Sequence, residues 1–311
     1  GRGDVYKRQF NTGTENDPAL NLAFNYLSYL GTDKMTAEEI ASEMYDIACS
    51  FYMNAGANQS SIQITGLSEN MGKAMEIVEG LIAGAKPDEA ILENCKADML
   101  KSRADAKLNQ SRCFGALQRY LFYGGDFIRR TTLTDPALQA LTSEQLLAKI
   151  GGLMGKQHEV LYYGPQKEAE VKSALAEHHK VAADLQPLEK KFSTLLPTDA
   201  NKVVLAQYDA KQLYYLQFSN RGEKFDVAAD PEITLYNEYF GGGMNTIVFQ
   251  EMREARGLAY TAWATLATPS NANGDYSYYA FIATQNDKMQ KAVEAFDDII
   301  NNTVSYTHLR A

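Results

Sequence analysis

Apolar residues recur at helical spacing in "NMGKAMEIVEGLI" (70–82) and again in "KMQKAVEAFDDII" (288–300), with Met, Lys, Ala, Glu and the final Ile in register. Such a period predicts an amphipathic helix with one face on a core. The same succession precedes each segment: a helix, a glycine stop, a second helix, then two strands. In the first copy "NLAFNYLSYL" is stopped by Gly31, and "TAEEIASEM" opens on a capping box of Thr36 and Glu39. "SFYMNAGAN" and "SSIQITGL" follow as strand-like runs. In the second copy "DPEITLYNEYF" has Asp230 as N-cap and Pro231 at its first position. Gly241, Gly242 and Gly243 stop it, and the strands "LAYTAWATLA" and "DYSYYAFIAT" come after the next helix. Self-similarity of this kind predicts one supersecondary plan used twice.

Strands that can form hairpins, with helices grouped after them, favour an α+β fold over a doubly wound parallel sheet. The expectation is two homologous domains, each a mainly antiparallel sheet packed against helices, the second truncated. The first domain spans 10–165 and includes "KPDEAILENCKADMLKSRADAKLN", "CFGALQRYLF", a helix opened by the Thr142–Gln145 capping box, and the closing strand "HEVLYYGP". Residues 166–195 read as a helical connector. Residues 196–303 form the second domain, whose first strands are "NKVVLAQYDA" and "KQLYYLQFS". The ends, 1–9 and 304–311, fit neither neighbouring pattern. They resemble translated adapter read-through at the edges of metagenomic fragments and are set aside from the fold. The chain is accordingly expected to be a fragment of a bacterial protein.

Composition narrows the function. A net charge of −9 opposes a nucleic-acid partner, because neutralising phosphates takes a basic surface. No apolar run approaches the roughly 20 residues of a membrane span. Cys49, Cys95 and Cys113 stand far apart, so neither a zinc ribbon nor a redox pair is encoded. The compartment stays open between bacterial periplasm and cytoplasm.

The stretch "GGGMNTIVFQEMREARGLAY" (241–260) carries the candidate chemistry. Backbone N–H groups at a helix start favour anions. However, a nucleotide loop needs Lys-Ser/Thr where Met244-Asn245-Thr246 stand, and a dinucleotide fingerprint follows a strand rather than a helix. The glycines are expected to form a structural turn that permits positive φ and close approach of two helices. Arg253 sits in the next helix and Tyr260 three residues into the strand that begins at Leu258. A turn at Gly257 would bring them to one side. Arg offers a fork of donors suited to carbonyl or carboxylate oxygens and Tyr one adjustable donor, a pair able to steady charge developing on an oxygen. Alternatively, Arg253 is surface charge and Tyr260 core packing.

"YFGGGMNTIVFQEMREARGLAY" resembles the C-terminal-type domain of the pitrilysin/insulinase family of zinc metallopeptidases. That family's signature is a helix, a glycine-rich turn, "F-Q-E-x-R-E" and then "R-G-L-A-Y" opening a strand. "LGTDKMTAEEIASEM" and "LSENMGKAMEIVEGL" resemble matching segments of its other domains, so the resemblance spans about residues 10–303. It implies a chamber closed by two halves. One half carries an inverted His-x-x-Glu-His zinc motif whose Glu activates a zinc-bound water. The other carries an Arg and a Tyr that reach substrate, and these fall on Arg253 and Tyr260, not on Arg256. Substrates of the family pair as an added strand in the catalytic half.

The zinc motif has no counterpart here. The helix "NLAFNYLSYLGT", where it would lie, holds neither His nor Glu. The histidines are His158, His178, His179 and His308, none in that spacing. Adjacent His178 and His179 diverge by about 100° on a helix and are expected to be solvated, as are Glu89, Glu93 and Asp98. The resemblance thus implies a substrate-binding, chamber-forming half of a zinc-dependent endopeptidase with no catalytic residue and no metal of its own. Its partners would be a peptide substrate and a zinc-bearing N-terminal half or subunit. A catalytically inactive scaffold of the same family is the alternative reading, and a ligand-binding module resting on the glycine turn is a further one.

Overall fold

A computed structural model of the chain describes residues 3–188 and 193–308. It divides into two compact units: Gly1–Ala106 with Gly125–Ser193, and Lys107–Gly124 with Thr194–Ala311.

The first unit contains strands β1 (Gly3–Phe10), β2 (Cys49–Ala55), β3 (Ser60–Leu67) and β4 (Glu159–Tyr163), paired antiparallel in the order β2-β3-β1-β4. Its helices are α1 (Leu20–Leu27), α2 (Ala37–Asp46), α3 (Met71–Gly84), α4 (Glu89–Lys107), the end of α5 (Gln110–Thr131), α6 (Asp135–Gln139), α7 (Ser143–Met154) and α8 (Glu168–His178). Leu20, Leu22, Ala23, Phe24, Tyr26 and Leu27 of α1 are buried, while Asn21 and Asn25, four residues apart, make its exposed face. Both capping boxes form, Thr36 with Glu39 on α2 and Thr142 with Gln145 on α7.

Residues 3–9, within the segment set aside on sequence, bear on this sheet. β1 pairs with β3 on one side and β4 on the other, so these residues fill the place between them. Arg8 is 2% exposed and pairs with Glu79 at 3.0 Å. The solvated expectation for His178 and His179 is also overturned. Helix α8 packs on α3, which brings His178 Nδ1 to 3.0 Å from Glu76. His179, 8% exposed, lies with its Nε2 2.9 Å from His158 Nε2. Adjacency in sequence spoke only to chelation, whereas these contacts come from distant strands and helices.

The second unit holds β5 (Gln212–Ser219), β6 (Thr261–Ala267) and β7 (Ser277–Gln285), antiparallel in the order β5-β7-β6. This repeats the order β1-β3-β2 of the first unit. Helices α9 (Asp230–Phe240), α10 (Ile247–Phe249) and α11 (Met289–His308) accompany it. The segments that match in sequence also match in burial. Ala74, Ile77, Val78 and Leu81 of α3 are buried, and so are Ala292, Ala295, Phe296 and Ile299 of α11. Helix α11 leaves helical backbone angles at Asn302.

Four boundaries differ from the sequence reading. "NKVVLAQYDA" forms no strand, and Val203 and Leu205 are each 83% exposed, because no described strand pairs with it. Asp230 is the first residue of α9 rather than its cap; a 3₁₀ turn, Val227–Ala229, leads straight into the helix. Helix α5 divides at Gly124, whose φ is +81°. Its first half stays with the second unit, where the rings of Phe122 and Phe218 pack tilted with centres 4.4 Å apart and Phe114 meets Tyr214 at 5.5 Å. Finally, the segment 166–195 is helical only over α8 and belongs with the first unit as far as Ser193; its residues 189–192 lie outside the described ones.

Candidate functional site

Residues 241–260 run from the end of α9 to the start of β6 within the second unit. Gly241 packs directly on the strand: a Cβ there would lie 2.2 Å from the carbonyl oxygen of Ala264, and its own carbonyl accepts the Ala264 N–H at 3.3 Å. A Cβ on Gly242 would lie 2.8 Å from the Asn237 carbonyl, and one on Gly243 would meet open space. The close approach is therefore to strand β6 and to the end of α9, not between two helices. None of the three has positive φ, so the need for glycine here is contact distance rather than backbone hand.

After the turn, α10 passes into a π-helical turn, Gln250–Ala255. Such turns are rare and concentrate at functional sites. Met252 is fully buried with Phe240, Val248 and Ala259, and its carbonyl accepts from Leu258 N (2.9 Å) and Ala259 N (3.3 Å). Anchoring Met252 turns the following residue outward, and Arg253 keeps 43% of its side chain exposed. Gly257 then reverses the chain in the left-handed region, φ +57°, with its N–H on the Arg253 carbonyl at 3.1 Å. Lys288 Nζ holds the Gly257 carbonyl at 3.2 Å.

Tyr260 stands one residue before β6 begins rather than within it, yet its N–H already bonds the Ala283 carbonyl at 2.9 Å. It is 68% exposed, which removes the core-packing alternative. The Arg253 guanidinium carbon lies 5.4 Å from the Tyr260 ring centre and 5.1 Å from that of Phe249. Cation–π contacts at exposed positions contribute about 0.5–1 kcal/mol each. The 3.6 Å approach of Arg253 Nε to Glu254 is between two exposed groups and adds little. Arg256 points elsewhere, pairing with Asp298 at 3.2 Å and Glu251 at 3.8 Å.

Phe249 was absent from the sequence reading of the site. Its position four residues before Arg253 on a helix was the available signal, since such neighbours share a face.

The residues present do not fit a zinc ion. Among the described residues no group of three or more His, Cys, Asp or Glu could hold a metal. The one close pair of histidines, His158 and His179, has the Arg8 guanidinium 2.8 Å from His179 Nδ1, which opposes a cation. Likewise, no helix among the described residues is long and apolar enough to cross a membrane.

Comparison with known proteins agrees with this arrangement. Residues 156–306 match the model of the peptidase M16 inactive domain. An uncharacterized zinc protease of Streptomyces coelicolor is 22% identical over 266 residues, covering 79% of this chain and 56% of the relative, so the chain spans little more than half that protein's length. Among solved structures, the periplasmic protease PqqL from Escherichia coli superposes with a TM-score of 0.77 at 14% identity, over 96% of this chain and 34% of that one. A peptidase M16 inactive domain from Pseudomonas fluorescens gives 0.69 at 16% identity, over 96% and 74%. Residues 156–306, with the 241–260 signature on its glycine turn, π-helical turn and strand, thus resemble the peptidase M16 inactive domain, and the chain as a whole is similar to proteins named zinc proteases.

Proposed function

We propose that this chain is the substrate-binding, chamber-forming half of a zinc-dependent endopeptidase, with Arg253 and Tyr260 as its contacts to the peptide. The observation that carries the proposal is the exposed Arg253–Tyr260 pair held by a fixed frame. A buried Met252, a left-handed Gly257 and the bond from Tyr260 N–H to Ala283 fix the backbone on both sides of the turn. The two side chains are thereby presented together to solvent.

In this role Arg253 donates to a peptide carbonyl oxygen and Tyr260 supplies a second donor to the same region. Donors placed in advance where charge develops are worth more in a closed chamber than in water, because no reorientation is needed when the reaction occurs. Zinc and water activation would belong to a separate half, in the same polypeptide or a partner subunit, since the donor set among the described residues does not fit the metal. The exposed second-unit surface would wall the chamber, and periplasm or cytoplasm would both suit it.

The test joins this chain to the zinc-bearing half from its parent reading frame or complex and follows cleavage of a quenched-fluorescent peptide pool. Arg253→Ala or Tyr260→Phe should lower kcat/KM by roughly 10- to 1,000-fold, the scale of losing one transition-state donor. Unchanged kinetics in folded protein would withdraw both residues. A joined pair that cleaves nothing, although zinc-loaded, would favour the scaffold reading instead.

A further inference from the structure

We propose that Phe249 is a positioning residue for Arg253: its ring and that of Tyr260 hold one guanidinium between them and so fix where its donors point. The proposal rests on the reading of Arg253 as a substrate contact and assigns the residue that makes the contact specific. Both ring centres lie within cation–π range of the guanidinium carbon, 5.1 Å for Phe249 and 5.4 Å for Tyr260.

Three features make this more than a surface contact. First, Phe249 is itself fixed. It ends α10, between fully buried Val248 and the π-helical turn, and is half-buried. Second, Arg253 has little else to hold it. Its one ion pair among the described residues is the 3.6 Å approach to exposed Glu254, too long and too solvated to select a rotamer. Third, an arginine loses several rotatable bonds' worth of freedom when it binds, and ordering it beforehand removes that loss from the binding step. Aromatic faces suit this purpose, since they attract the flat cation without using any of its N–H donors. All five donors of the guanidinium edge then stay available for a planar oxygen acceptor such as a peptide carbonyl or carboxylate.

The pairing also explains the use of a π-helical turn. Arg253 must share a face with Phe249 behind it and with Tyr260 beyond the Gly257 reversal. The wider turn over Gln250–Ala255 lets one side chain meet both.

Two readouts on the full chain separate this inference from the functional one. The first is nuclear magnetic resonance of the Arg253 side chain. Ring currents from two faces should move its δ-methylene and Nε–H signals upfield of an ordinary exposed arginine. Phe249→Leu should return them most of the way, while Phe249→Tyr should keep them. An ordinary Arg253 signal in the unsubstituted chain, or a shift unchanged in Phe249→Leu, overturns the inference, and the first of these needs no variant to fold. The second readout is peptide cleavage with the zinc-bearing half joined. Phe249→Leu should lower kcat/KM by roughly 3- to 30-fold, Phe249→Tyr should restore most of it, and Phe249→Leu should add nothing in an Arg253→Ala background. A lost ring-current shift with unchanged cleavage would leave the clamp standing as geometry and overturn its positioning role alone, since the reading of Arg253 as a substrate contact falls only with unchanged kinetics in Arg253→Ala. A further loss in the Arg253→Ala background would show that Phe249 acts by some route other than Arg253, and would overturn the inference alone.

Discussion

The guanidinium carbon of Arg253 lies 5.4 Å from the centre of the Tyr260 ring, across a chain reversal in which Gly257 takes φ +57°. The reversal is what makes the pair, because Arg253 lies in the π-helical turn before it and Tyr260 immediately precedes β6 after it. A Cβ at Gly257 would meet no neighbour, so a substitution there tests backbone hand alone. Gly257→Ala should destabilise the second unit by about 1–2 kcal/mol, the scale of forcing a side-chain-bearing residue into the left-handed region. Gly257→Asn should cost less, since Asn enters that region more readily. Cleavage by the joined enzyme should follow the same order. Equal effects of Ala and Asn would mean that the turn tolerates either hand.

The glycine turn before α10 makes the opposite demand, for space rather than for φ. Gly241→Ala would drive a Cβ to 2.2 Å from the Ala264 oxygen and 2.6 Å from its nitrogen, both backbone atoms of β6 with nowhere to go. The expected loss is about 1–3 kcal/mol, as for overpacked cores. Gly243→Ala, which meets open space, should be near neutral. Trp263, the single tryptophan, sits on β6 and reports this unfolding by fluorescence in urea. A Gly241→Ala midpoint equal to that of Gly243→Ala would return the glycines to ordinary turn residues.

The elements legible in the sequence were those whose cause is local. Helices α3 and α11 were readable from period alone, because the buried positions recur every third or fourth residue. The capping boxes at Thr36 and Thr142 were readable because both partners lie within four residues. Arg253 and Tyr260 stood out because the motif around them is dense. What local pattern could not supply was partnership. Residues 201–210 carry strand-like alternation, yet a strand exists only when another chain segment pairs with it, and Val203 and Leu205 stand exposed. Residues 1–9 looked foreign, and 3–9 among them pair with β3 on one side and with β4 on the other. The division of α5 had one local sign, the Gly124-Gly125 pair inside a helical run, but the sheet that receives Phe114 and Phe122 lies far along the chain. His179 looked solvated because its partners, His158 and Glu79, come from other elements.

Tyr278 on β7 offers a stability gain. Its hydroxyl is enclosed and has no hydrogen-bond partner among the described residues, and burial, with nearby Tyr236 adding to it, pushes its pKa well above the usual tyrosine range. An unsatisfied buried hydroxyl costs about 1–3 kcal/mol. Tyr278→Phe keeps the ring and removes that cost, so the Trp263 unfolding midpoint in urea should rise, by the equivalent of about 1 kcal/mol once repacking is allowed for. A lower midpoint would reveal that the hydroxyl has a partner in solution.

His158 makes the first unit sensitive to acid. Its Nδ1 lies 2.9 Å from the Lys156 carbonyl, its Nε2 2.9 Å from His179, and its ring packs on Phe10. Burial is the largest influence and lowers its pKa; the Lys156 carbonyl and Glu79 act the other way, and Arg8 and His179 lower it further. The folded state therefore favours the neutral ring and binds fewer protons than the unfolded chain between the folded and unfolded pKa values. Stability then rises with pH across that window: it is fully present above the ordinary histidine range and is lost as pH falls through the mid-sixes and below. Urea titrations at pH 7.5 and 5.5, followed through the amide signals of β2 and β3, should show a lower midpoint at pH 5.5. His158→Gln, which keeps a polar side chain but cannot take up the proton, should flatten that dependence. An equally steep dependence in His158→Gln would move the acid sensitivity to another group.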